Sequence, residues 1–187
     1  MKFSTLSFCL VTILFCATAL GENLVPQGDF SKSKTGGPEG WQPIVDGEDW
    51  MVRRCKVKQE AERTFVRINQ NPAGIKFDQP VDSEWGAVEL TFESRREGIE
   101  SGNKPWEVPQ VAIDFLDADN QSLLDFKKNI WMPDDSDGWE TINKTYEVPQ
   151  HAVTMRVMIN YKAKGGTADF ANLAVTAEDA SEGGEPQ

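Results

Sequence analysis

Six tryptophans, a single histidine and a short run of aspartates are the residues of this 187-residue chain whose types suggest chemistry. An indole stacks on the apolar face of a sugar ring, while Arg, Asn, Gln and carboxylates hydrogen-bond its hydroxyls. Trp50, Trp106 and Trp131 stand at strand ends or in polar loops, where a core aromatic has little to pack against. Each reads either as an exposed platform or as a half-packed structural ring. Arg156 and Asn160 share the polar face of the alternating run 153–161. They are an ordinary wet face or the hydrogen-bonding half of the same site. Trp41 closes a polar loop and Trp85 precedes an apolar run, so both read as structural.

Catalytic chemistry has less to draw on. His151 follows Pro149 in a turn, with no serine or cysteine signature beside it. The partners of a nucleophile converge in space, so the sequence leaves that reading open, but the setting is that of a turn residue. One histidine and one cysteine outside the leader are too few for a zinc site of His and Cys ligands. Asp134, Asp135 and Asp137 form the one dense acidic cluster, which reads as a solvated loop before it reads as a cation site. A glycosidase needs only two carboxylates, and among 30 acidic residues a pair at workable separation is uninformative. The expectation is no catalytic residue, no metal and no cofactor.

The positioning elements begin after a leader. Lys2, an apolar run over 6–15 and the small residues Ala17, Thr18 and Ala19 predict a signal peptide over 1–21. Phe15 is too large to precede a lipid-modified cysteine, so Cys16 predicts no lipid anchor. The destination is secreted or periplasmic, with no membrane insertion of the mature form. Cys9 and Cys16 leave with the leader, and Cys55 stands alone as a buried, inert thiol. Removing Lys2 leaves 18 basic residues against 30 acidic ones, a net charge of −12. That balance argues against nucleic acid as a partner, because phosphate binding needs a basic face.

From residue 22 to 176 the chain reads as one domain of short strands and turns, followed by a disordered acidic tail over 177–187. The clearest signal lies in 138–176. Val153, Met155, Val157, Ile159 and Tyr161 alternate with polar residues, the mark of a half-buried strand. Lys164-Gly165-Gly166 makes a turn, and a break in alternation after Phe170 predicts a bulge near Ala171 or Asn172. Earlier strands are expected at 23–30 (a short pair, which should pair with the closing strand), 50–57, 64–68, 73–77, 87–93, 111–115, 123–126 and 139–148. The segments 64–68 and 73–77 should form a hairpin around Asn69-Gln70-Asn71-Pro72, and 95–105 a polar loop. The fold class is all-β, an antiparallel β-sandwich or barrel.

Four segments carry a resemblance. NLVPQGDFS at 23–31, GNKPWEVPQVAIDFLDADNQSL at 102–123, WETINKTYEVPQHAVTMRV at 139–157 and GTADFANLAV at 166–175 resemble carbohydrate-binding modules of families 4 and 9. The resemblance spans nearly all of 23–175, each motif being weak and their order fairly specific. It implies a galactose-binding-like jelly roll that is not catalytic and takes a glycan on a sandwich face or at its loops. It also places Trp41 and Trp139 at core positions. Such modules often hold a structural calcium, but the matching positions here are Ser31 and Ala171, so that site should be crippled.

The resulting reading is a free-standing, exported module that binds a polysaccharide or oligosaccharide through Trp131, Trp106, Trp50, Arg156 and Asn160. One alternative is a structural or adhesive domain that binds a protein partner at the cell surface. A further one is a small glycoside-cleaving enzyme. A stacked aromatic platform beside polar groups favours the first, a flat apolar patch the second, and a cleft with paired carboxylates the third.

Overall fold

The computed structural model describes residues 22–25, 27–34 and 37–180. The leader and residues 181–187 of the expected tail lie outside the described residues. In chain order the elements are β1 (Ser33–Lys34), β2 (Gly37–Pro38), β3 (Gln42–Pro43), α1 (Asp49–Arg53), β4 (Lys56–Glu60), β5 (Arg63–Ile68) and β6 (Ala73–Pro80). There follow β7 (Trp85–Glu100), β8 (Pro109–Leu116), a 3-10 turn (Phe126–Lys128), β9 (Ile130–Trp131), β10 (Glu140–Glu147), β11 (Thr154–Tyr161) and β12 (Gly165–Asp179). Two antiparallel five-stranded sheets stack into a sandwich. The order is β3-β6-β11-β8-β9 in one, called sheet I, and β10-β7-β12-β5-β4 in the other, sheet II.

Period-two alternation builds the core between them. Met155, Val157, Ile159 and Tyr161 of β11 point inward with Val111, Ile113 and Phe115 of β8, all fully or almost fully buried. Val66 and Ile68 of β5, Val88, Leu90 and Phe92 of β7, and Phe170, Leu173 and Val175 of β12 face them from sheet II. Trp41 plugs one side, tilted against Phe30 and Phe77 at ring separations of 5.7 and 6.2 Å. Tyr161 is fully buried, and its hydroxyl lies 2.7 and 2.8 Å from the carbonyl oxygens of Gly165 and Gly166. Cys55 is a free, buried thiol whose pKa burial pushes up to about 12.

Several local expectations change. Residues 49–53 form α1 where a strand from Trp50 was expected, and strand begins only at Lys56. The strands at 63–68 and 73–80 are not a hairpin, because β5 belongs to sheet II and β6 to sheet I. Likewise β11 and β12 lie in opposite sheets, so the turn at 162–164 carries the chain across the sandwich. Strand β7 runs through the expected loop to Glu100. Its inward positions there are Ser94 and Arg96, and the buried Arg96 donates to Glu140 at 2.5 Å and to the Asp134 carbonyl at 2.9 Å, while its Nη1 has no partner among the described residues. The strand expected at 123–126 is absent; the Asp125 side chain accepts from the Lys127 amide and starts the 3-10 turn. Val153 lies before β11 and is exposed.

Two expectations at the closing strand are met, the second without the strand geometry expected at 23–30. Register shifts between Ala171 and Ala174, and Asn172 takes φ 49°, so a bulge sits where the alternation breaks. Residues 23–25 and 27–28 lie along β12 although they are not regular strand. Leu24 donates to the Val175 carbonyl at 2.8 Å, and Leu173 donates to the Gly28 carbonyl at 2.9 Å. The Asn23 side-chain oxygen accepts from the amides of both Val25 and Val175 at 3.0 Å. Strand β12 itself runs to Asp179, three residues beyond the expected boundary at 176.

Candidate functional site

Both sheets turn polar residues and aromatics outward, and what lies over the rings separates the two faces. On sheet II, Phe65 is buried outside the core, edge-on to Trp139 at 5.4 Å. Trp139 is therefore half-buried on an outer face and is not the core ring that the family resemblance implied. Guanidinium groups cover both rings: Arg63 and Arg95 lie 4.6 and 4.9 Å from the Trp139 ring, Arg67 and Arg95 each 5.5 Å from Phe65. Asp169 anchors this cover. It is 1% exposed and accepts from Arg67 twice at 2.8 Å and from Arg95 at 2.8 and 3.1 Å. Arg95 also reaches Glu60 at 2.8 Å, which holds the Glu60 carboxyl below its usual range. A ring face already holding a cation has less room for a sugar, so this cluster reads as a structural lattice.

Sheet I is arranged differently. Across it, Gly74, Asn160, Gln110 and Trp131 fall in one register row on β6, β11, β8 and β9. The row along β11 two residues earlier holds Lys76, Met158 and Ala112, and the next holds Asp78, Arg156 and Asp114. Loops wall this floor on two sides. Over β6, Ile44 sits so close to Gly74 that a Cβ there would meet its Cδ1 at 2.4 Å, and Asp46 bonds the buried Lys76 at 2.7 Å. Over β8, residues 122–129 enclose a cavity of about 90 Å³ lined by Asp114, Ser122, Phe126, Asn129 and Met158.

The sequence candidates Trp106 and Trp131 come together at the β9 edge of this face, with Phe126 between them. Phe126 is edge-on to Trp106 at 5.9 Å and tilted against Trp131 at 6.2 Å, and it is 53% exposed. The Trp131 indole nitrogen is buried without a hydrogen-bond partner, while the residue as a whole is half-buried. Gln110 fixes the trio: its amide donates to the Trp106 carbonyl, and its oxygen accepts from Asn129 at 3.2 Å. Asn160 stands beside Gln110 in register, and its side chain has no hydrogen-bond partner among the described residues. Arg156 pairs bidentately with Asp78 at 2.7 and 2.8 Å, which leaves further guanidinium N–H groups unused and raises its pKa.

Trp50 does not join them. It lies on α1, which packs by β2, β3 and β6 at the opposite edge of the sheet. Its N–H donates to Glu48, and the Arg54 guanidinium covers its ring at 4.5 Å. Phe126, Gln110 and Asn129 were not among the sequence candidates. Phe126 was read as part of a strand, and nothing local marks a glutamine as the support of a loop 4 residues away.

Among the described residues no group of three or more His, Cys, Asp and Glu converges as a metal site. Asp135 accepts from the Ile99 amide at 2.7 Å, which lowers its pKa, so part of the aspartate cluster serves to pin the 98–99 backbone. Asn172, at the bulge of β12, donates to Glu93 at 3.1 Å. His151 is exposed in its turn. No described helix is long and apolar enough to cross a membrane.

No protein-family model matches the chain, and no curated protein matches it. Solved structures do. The chain is similar to the enzymatically active domain of tailspike protein 4 from Bacteriophage CBA120, at TM-score 0.61 and 13% identity over 83% of this chain. It spans only 21% of that protein. A family 16 carbohydrate-binding module gives 0.54 and 16% identity, over 82% of this chain and 99% of the module. A putative sugar-binding protein from Bacteroides thetaiotaomicron gives 0.53 and 14%, over 84% and 100%. At these identities the likeness shows the fold: an antiparallel β-sandwich of the kind found in carbohydrate-binding modules, without singling out families 4 and 9.

Proposed function

We propose that this chain is an exported, non-catalytic carbohydrate-binding protein that takes a glycan on the outer face of sheet I. The observation that carries this is the trio Trp106, Phe126 and Trp131, in which a single lysine lies over Trp106 and no cation lies over Phe126 or Trp131, on the face that also holds the free Asn160 amide and the Arg156 guanidinium. A sugar ring needs an apolar plane next to directional donors and acceptors, and sheet I offers both on one face. The fold shared with whole-length carbohydrate-binding modules supports the reading. Asp78 is engaged by Arg156 and Asp114 accepts from Ser122 at 2.7 Å, so both carboxylates are tied up in positioning. The test is a glycan-array screen of the mature domain followed by affinity electrophoresis in the polysaccharides that score. Retardation of the wild type and its loss in Trp131→Ala are expected. A wild type that no glycan retards, but which captures a surface protein, would move the adhesive reading ahead.

A further inference from the structure

The chain is acidic, with a net charge of −11, yet the aromatic trio is ringed by lysines. Lys104 reaches over Trp106, its Nζ 5.2 Å from the ring. Lys127 and Lys128 follow Phe126 in the 3-10 turn, both exposed. Lys144 donates to the Lys128 carbonyl, and Lys164 donates to the Asn103 side chain at 2.7 Å, one residue from Lys104. None of the five makes an ion pair with a carboxylate among the described residues. Four carboxylates lie nearby: Glu100 stands against Gly165, next to Lys164, and the other three are engaged otherwise. Glu107 accepts from the Asn103 and Lys104 amides at 2.6 and 3.3 Å, Asp125 from the Lys127 amide at 3.0 Å, and Asp114 from the Ser122 hydroxyl at 2.7 Å. Those bonds leave the carboxylates charged, so five lysines stand against four carboxylates, a small local excess of cations on an acidic chain. Burial and the charge of Lys128 both push the Lys144 pKa down, as expected where ammonium groups crowd without a counter-ion.

We propose that the glycan of this site is anionic, a polysaccharide bearing carboxylate or sulfate groups that Lys104, Lys127 and Lys128 meet while its rings stack on the trio. The proposal rests on the sheet I reading above. Net charge does not oppose it, because at physiological salt charges beyond about 8 Å are largely screened and the local cations dominate. Exposed lysines that hold no carboxylate stand ready to exchange condensed counter-ions for a polyanion, which makes binding steeply salt-dependent. Lysine suits such a ligand as a mobile point charge, able to follow a substituent whose position varies along a chain.

The experiment titrates the mature domain with sodium polygalacturonate, a sulfated carrageenan, and neutral arabinoxylan and laminarin. Each titration is run with about 10 mM and about 300 mM salt, on wild type, on Lys104→Ala/Lys127→Ala/Lys128→Ala and on Trp131→Ala. The expected result is binding of one polyanion that weakens about tenfold or more with salt, and about tenfold in the lysine variant, while Trp131→Ala weakens it too. Polygalacturonate alone would assign carboxylate, and carrageenan alone sulfate ester. Salt-independent binding of a neutral glycan, unchanged in the lysine variant, would overturn this proposal and leave the site standing. Polyanion binding untouched by Trp131→Ala would be ion exchange by lysines alone and would overturn it as well. If no polymer bound, the sheet I site and this proposal would fall together.

Discussion

Two aromatic clusters occupy opposite faces of the sandwich, and they make opposite predictions on truncation. The trio on sheet I should matter for ligand and little for folding. Trp131→Ala or Trp106→Ala should weaken glycan binding by about 1–3 kcal/mol, roughly fivefold to hundredfold, by analogy with aromatic stacking on nucleic-acid bases. Calorimetry on the variants checks this, with an unchanged melting temperature as the control. Trp41 and Trp139 supply the converse. Trp41 is 6% exposed between Phe30 and Phe77, so Trp41→Ala should cost about 3–5 kcal/mol of stability as a core truncation. Trp139 touches Phe65 and two guanidinium groups on an outer face, so its loss should cost only about 1–2 kcal/mol. Urea unfolding of the pair would separate them; equal costs would contradict the placement of Trp139. At this scale the sequence shows that Trp106 and Trp131 sit in segments too polar to need a core ring. It cannot show that Arg54 covers Trp50, because a side chain 4 residues away along a helix becomes a neighbour only once the helix forms.

Elements explain why the site is held where it is. Strands with strict alternation, β7 and β11 above all, were legible because each buries one face, and a one-residue slip would expose every apolar side chain. Which sheet a strand joins was not legible. The turns at 69–72 and 162–164 resemble hairpin turns in composition, yet each crosses the sandwich, since local residues encode a reversal and not the partner. The segment 23–30 illustrates the same point: its pairing with β12 was foreseen, its irregular geometry was not. Deleting it would leave the amide of Val175 without its acceptor and uncover Leu173 and Val175. The truncated protein should lose its cooperative melt; an unchanged melting temperature would contradict the role given to this segment. Where β11 turns into β12, Tyr161 carries a pH prediction. Burial raises its pKa from 10.0 to about 12, as it does for Tyr146. A folded-state pKa above the unfolded one gives stability that is complete below pH 10 and is lost as pH rises toward 12. Tyrosine absorbance and circular dichroism should therefore change together in that window, and Tyr161→Phe, which removes the donor to Gly165 and Gly166, should already be less stable at pH 7 by about 1–3 kcal/mol.

For the molecule as a whole, composition and turn spacing were enough to read an all-β sandwich, and the structure bears that out. The charge balance gave only an average. A net charge of −11 hides the lysines around the trio, because they come from segments distant in sequence that the fold brings to one edge. A bound calcium would stabilise the fold by mass action, so with Ser31 and Ala171 where the resemblance implies calcium ligands a chelator should leave the melting temperature where it is. A drop of several degrees on chelation would show a cation held by other groups. The central claim is that sheet I, and not sheet II, is the face that binds glycan. The most direct measurement is an amide-resolved NMR titration of the mature domain with a glycan identified by the array. The account predicts shifts concentrated at 104–112, 126–131 and 154–160, around Trp106, Trp131, Gln110 and Asn160. Shifts concentrated at 63–67, 93–97, 139–143 and 167–171, the surroundings of Phe65, Trp139 and Asp169, would contradict it.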